Sequence, residues 1–129
     1  MTKERLNQIV DSAFNCAFRV HTALGPGLLE SSYKACMAFE LAKAGLAAQM
    51  EVPVPLVYEG QKLADVGYRV DILVEDELII EIKSVDAIIP IHKAQLLSYL
   101  RLSNKRLGLL MNFNTVHLKD GISRIANNF

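Results

Sequence analysis

The sequence lacks most of the features that would assign a class at a glance. No stretch approaches the ~20 uninterrupted apolar residues of a membrane-spanning helix, so no membrane association is expected. Met1-Thr2-Lys3-Glu4-Arg5 passes directly into an amphipathic pattern, with no apolar signal core and no small-residue cleavage site, which points to the cytoplasm. Cysteine is scarce. Cys16 and Cys36 have no metal-type spacing and are expected to be reduced thiols packed in the core. A basic surplus is missing too: 14 Lys and Arg balance 14 Asp and Glu. Proteins that coat nucleic acid usually carry that surplus, because phosphate neutralisation supplies much of their affinity. One local cluster, Arg101, Lys105 and Arg106, offers a candidate basic patch. Familiar chemistry is also absent. Cys16, Cys36, His21, His92 and His117 lack zinc-ligand spacing, Gly25-Pro26-Gly27 is not a phosphate-cradling loop, and no Ser or Cys nucleophile motif occurs.

What is present suffices for one packed domain over residues 1–129: a hydrophobic fraction of 51% and no repeat, linker or low-complexity tract. Leu6, Ile9, Val10, Ala13, Phe14, Ala17, Phe18 and His21 or Leu24 recur at helical spacing and predict a helix over 4–24. Gly25-Pro26-Gly27 ends it. A second helix over about 28–45 is expected to bury Leu29, Tyr33, Cys36, Met37, Phe39 or Leu41, and Ala44. The period then shortens to two. Met50–Tyr58 contains Pro53 and Pro55, which confines it to a sheet edge. Residues 66–74 and 78–85 read as strong strands joined by Glu75-Asp76-Glu77, 91–103 as a helix, and 106–113 as a strand buried on both faces. Asp120-Gly121 suggests a tight turn between two short strands, or a short terminal helix. The order ααβββαβ plus a short tail predicts an α/β or α+β fold, a mixed sheet flanked by helices.

The chemistry concentrates between Tyr68 and Lys83. Strict alternation places Tyr68, Val70, Ile72 and Val74 on one face and Arg69, Asp71 and Leu73 on the other. Leu78, Ile80 and Ile82 likewise oppose Ile79, Glu81 and Lys83. A three-residue connection would set Asp71 across from Glu81 on one face; a two-residue turn would send it to the other. In the first register two carboxylates stand about 5 Å apart between apolar strands. Opposed like charges destabilise a sheet and raise one carboxyl's pKa, a conflict that a hard divalent cation such as Mg²⁺ or Mn²⁺ removes. Lys83 beside them would orient water or offset phosphate charge. The plainer reading is a solvated charged face with Lys83 neutralising Glu81.

Asp71, then nine residues, then Glu81-Ile-Lys83 closing an apolar strand resembles the signature of the PD-(D/E)XK nuclease superfamily, and the element order is similar to its core. Gly27-Leu-Leu-Glu30-Ser-Ser-Tyr33 resembles the motif that names the bacterial GxxExxY family within it. Pro90–Tyr99 and Leu107–Phe113 are similar as well, so the likeness spans nearly the whole chain. The resemblance implies a Mg²⁺- or Mn²⁺-dependent nuclease acting on nucleic acid, DNA above all. Asp71, Glu81 and Glu30 would be metal ligands, Lys83 would position water, and Gln95 would orient the site. Gln95 and Tyr99 match a Q-x-x-x-Y element of some branches. Each has an ordinary reading: Glu30 as a carboxylate favoured in a first helical turn, Tyr33 as a buried tyrosine with a bonded hydroxyl, Gly27 as backbone geometry. His92, Gln95 and Tyr99 would form a polar stripe opposite an apolar one of Ala94, Leu97 and Leu100. By analogy a homodimer would give a wider cleft. Rival readings are a non-catalytic module binding nucleic acid or protein, and an enzyme acting on another phosphorylated substrate.

Overall fold

The computed structural model describes residues 1–129, the side chain of Val66 excepted. Two helices come first, α1 (Lys3–Leu24) and α2 (Glu30–Lys43). Strands β1 (Ala48–Tyr58), β2 (Gln61–Val74) and β3 (Leu78–Lys83) follow, then α3 (Pro90–Ser103), β4 (Leu107–Asn112), a 3₁₀ turn (Leu118–Gly121) and β5 (Ile122–Ala126). The five strands lie in one sheet in chain order; β3 and β4 run parallel and the other neighbours antiparallel. The parallel pair requires a crossover, and α3 supplies it. β1 is an edge strand, as its prolines require.

The sheet is covered on both faces. α1 packs through Leu6, Ile9, Val10, Ala13, Cys16, Ala17 and Val20, and α2 through Tyr33, Met37 and Leu41. Their partners include Ile72, Val74, Leu78, Ile80, Ile82, Leu109 and Met111. α3 covers the opposite face, where Leu96, Tyr99 and Leu100 meet Leu73, Ile79 and Leu110. Gly108 permits this approach: a Cβ there would lie 3.0 Å from Leu96. Every residue of β4 is buried, the consequence of a central strand with helices on both sides.

Several expectations need correction. Phe18, Leu24, Leu29 and Phe39 are exposed, so the apolar stripes of α1 and α2 are narrower than composition suggests. β2 begins at Gln61, directly after a turn in which Glu59 and Gly60 are left-handed. The tail is no hairpin: a 3₁₀ turn through Asp120-Gly121 leads into one strand, β5, which pairs with β4. α3 buries Leu96, Tyr99 and Leu100 while Ala94 is exposed. Tyr99 therefore belongs to the packing face and not to a polar stripe. Among the described residues no helix is long and apolar enough to cross a membrane.

Candidate metal centre

The site arises from how the β2–β3 hairpin closes and then opens. Glu77 N–H donates to Val74 O at 3.0 Å, with Glu75 and Asp76 both left-handed, the geometry of a two-residue type I′ turn. The cross-strand partners, however, are Val74 and Leu78, so Glu77 is an extra residue. The connection thus counts as three, and this register directs Asp71 toward Glu81. Acidic residues take the left-handed positions where glycine is usual; Asp76 and Glu75 are then held by Lys105 and by Ala47 N–H respectively.

The β2–β3 ladder stops at Ile72 and Ile80. One step further, side chains replace the backbone bonds. Asp71 N–H donates to Glu81 Oε1 at 3.0 Å, and Ile82 N–H donates to Asp71 Oδ2 at 2.7 Å. β3 continues on its other edge, pairing with β4 as far as Lys83 and Asn112. A notch is left beside the carboxyl-terminal end of β3, where ligands bind in open α/β sheets.

β2 also changes face here. Ile72 packs toward α1 and α2, whereas Val70 packs toward α3, although strict alternation would put them together. The cause lies opposite Asp71. Glu51 is left-handed (φ 54°) between the pairs Met50–Ile72 and Val52–Val70. That turn swings the outer hairpin onto α3, bringing Val52, Val54 and Val70 into its core and Tyr68 against Tyr99 with ring centroids 5.5 Å apart. The expected grouping of Tyr68 and Val70 with Ile72 is therefore corrected. A left-handed non-glycine residue costs about 1–2 kcal/mol, and such strain collects at functional sites.

Electrostatics follow from this enclosure. Glu81 is only 6% exposed. Burial, and then the Asp71 charge, push its carboxyl up to about 8, against the lowering effects of the Asp71 N–H bond and Lys83. Lys83 follows Glu81 by two residues on the same strand face and forms no ion pair among the described residues. Burial, with Glu81 next, also raises the Tyr99 hydroxyl. Asn112, 2% exposed, anchors the chain just past Lys83. Its Oδ1 accepts from Val85 N–H (3.1 Å) and its Nδ2 donates to Val85 O (3.0 Å), imitating one more ladder step.

A basic side chain not anticipated from the sequence completes the cluster. Lys34 of α2 pairs with Glu51 and lies 3.6 Å from Asp71 Oδ1. Its ammonium is held above the usual range, chiefly by the Glu51 hydrogen bond. Lys34 follows Glu30 by one helical turn, the one signal that could have singled it out.

Glu30 itself is exposed at the start of α2. Among the described residues no three His, Cys, Asp or Glu side chains converge, so Glu30 does not join Asp71 and Glu81 in a three-ligand group. Its helix end is nonetheless tied to the site: Ser84 Oγ donates to Leu28 O at 2.6 Å. Tyr33 fixes this loop, donating to Gly25 O (2.6 Å) and accepting from Leu28 N–H (3.1 Å) while stacking on Phe113. Gly27, with φ 94°, supplies a backbone conformation that other residues rarely adopt. Gln95 lies exposed on α3, one turn before Tyr99. His92 caps α3, its Nδ1 accepting from Ile89 N–H at 3.1 Å. Two of the three basic-cluster side chains are spent elsewhere, while Arg101 is exposed on α3. Lys105 binds Asp76, and Arg106 contacts Met1 O and Glu77, at the closed end of the hairpin.

No curated protein and no solved structure matches the chain. The family model of the PD-(D/E)XK nuclease superfamily matches residues 7–125, nearly the full length over which the notch and its supports are built, and the chain belongs to that superfamily.

Proposed function

We propose that this protein is a metal-dependent nuclease hydrolysing phosphodiester bonds of nucleic acid, with DNA as its substrate. The observation that carries the reading is the convergence of the Asp71 and Glu81 carboxylates at the open end of the hairpin, with Lys83 two residues on. The donors fit the group. Two oxygen ligands of like charge, one nearly buried and hard to ionise alone, suit a hard divalent cation such as Mg²⁺ or Mn²⁺. Nucleases of the superfamily generally use divalent ions.

In this reading Asp71 and Glu81 hold the ion, without Glu30 of the adjacent helix end as a third direct ligand. The bound ion would supply polarisation of water and phosphate oxygen. Lys83 orients the attacking water and offsets charge gathering on the phosphate. Gln95 orients the substrate from α3, and Asn112 holds the segment that carries Lys83. A homodimer would extend the short cleft. A non-catalytic binding module is the second reading, favoured by the balanced charge and by the neutralisation of Lys105 and Arg106.

Labelled single- and double-stranded DNA and RNA, incubated with the protein and Mn²⁺ or a chelator, separate the two. Cleavage that needs Mn²⁺ and drops at least about 100-fold in Asp71→Ala and Lys83→Ala supports the nuclease. Binding without turnover in any metal supports the module and sinks the nuclease.

A further inference from the structure

If Asp71 and Glu81 hold a divalent ion, as proposed above, Lys34, outside the superfamily signature, already sets a cation at that site. α2 delivers Lys34 so that its ammonium bridges Glu51 and Asp71, 3.6 Å from the Asp71 carboxylate. The Lys34 and Asp71 side chains are only 20% and 19% exposed, whereas that of Glu51 is 46% exposed. An ammonium this close to a shielded carboxylate neutralises most of the charge that a divalent ion would seek, and it repels the ion as well.

We propose that Lys34 is a tethered competitor for the divalent ion, occupying the cation position on Asp71 until the ion displaces it onto Glu51. The helix cannot retreat to make room. Tyr33, the residue before Lys34, is buried, bonded to both Gly25 and Leu28 and stacked on Phe113. The lysine side chain is the mobile part, with four rotatable carbons and no fixed bonding geometry. Glu51 provides its alternative seat. It already bonds Lys34, and its left-handed backbone is steadied by Arg69, whose Nη1 donates to Glu51 O at 3.3 Å. On displacement Lys34 gives up one of two carboxylates and keeps the other. The two residues therefore act in opposite senses: Lys34 lowers ion affinity, and Glu51 restores part of it by drawing Lys34 aside.

Calorimetric Mn²⁺ titration at pH 8, without nucleic acid, tests this on wild type, Lys34→Met, Glu51→Gln and the double variant. Lys34→Met is expected to tighten Mn²⁺ binding about 5- to 20-fold, the range for a partly screened charge at this distance. Glu51→Gln is expected to weaken it about threefold or more with Lys34 present, and much less in the Lys34→Met background. Lys34→Gln, which keeps a polar tip, serves if the methionine variant fails to fold. Mn²⁺ binding that is lost in Asp71→Asn yet no tighter in Lys34→Met overturns this inference alone. Equal weakening by Glu51→Gln in both backgrounds overturns the part given to Glu51. Absence of Mn²⁺ binding in every folded variant overturns it together with the metal reading.

Discussion

The two ends of the β2–β3 hairpin are built on different principles. At the closed end, Ile72, Leu73 and Val74 pair with Ile80, Ile79 and Leu78 through backbone bonds, and apolar side chains fill both faces. At the open end the ladder stops, and two carboxylates accept the N–H groups that a partner strand would have bonded. The closed end is stable because nothing there is charged and buried. The open end holds a nearly buried glutamate whose carboxyl resists ionisation. A sheet that is secure at one end tolerates electrostatic conflict at the other, and that conflict is what makes the open end suited to a cation.

Substitutions at the two ends should therefore differ in kind. Ile80→Ala, at a fully buried position of the closed end, should cost about 3 kcal/mol in urea-induced unfolding; a loss below about 1 kcal/mol would contradict the rigid core assigned to that end. Asn112→Ala, at the open end, strips Val85 N–H of its acceptor and leaves Val85 O with Asn114 Nδ2 alone, and should cost about 2 kcal/mol while also lowering any nuclease turnover. Unchanged turnover in the folded variant would remove Asn112 from the support of Lys83. His92→Ala should cost about 1 kcal/mol through the lost helix cap, with turnover intact. Impaired turnover at full substrate saturation would instead assign His92 to the chemistry. Asp76→Gly, at the left-handed turn of the closed end, should gain about 0.5–1 kcal/mol. A loss would mean that the Lys105 contact, not backbone strain, governs that turn.

Much of this contrast was legible in the residues. Prolines marked the edge strand, glycines and a change of period marked the element boundaries, and Asp71, Glu81 and Lys83 marked the site. What resisted reading was backbone geometry without a glycine to announce it. The hairpin register depends on Glu77 being an extra residue beyond a two-residue turn, and either loop length fits the letters Glu75-Asp76-Glu77. The change of face at Asp71 depends on a left-handed Glu51 contributed by another strand. That same turn brings Tyr68 to Tyr99, whose ring packs in the cluster with Val54 and Val70. Lys34 is not marked in the sequence because its partners, Glu51 and Asp71, are 17 and 37 residues away in the chain and meet only after folding.

The pH dependence of thermal unfolding for wild type and Glu81→Gln, with and without Mn²⁺, tests the central contrast most directly. The folded carboxyl, raised to about 8, exceeds its ordinary value of 4.5. Its stabilising contribution is therefore complete below about pH 4.5 and is lost as pH rises toward 8, when the unfolded chain sheds the proton before the folded one does. Glutamine keeps an acceptor for Asp71 N–H but cannot ionise. Metal-free Glu81→Gln should match wild type near pH 5 and melt higher at pH 8, by the equivalent of a few kcal/mol. Mn²⁺ should raise the melting temperature of wild type at pH 8, less so at pH 6, and leave the variant little changed. A variant that melts no higher than wild type at pH 8, or gains as much from Mn²⁺, would contradict the account.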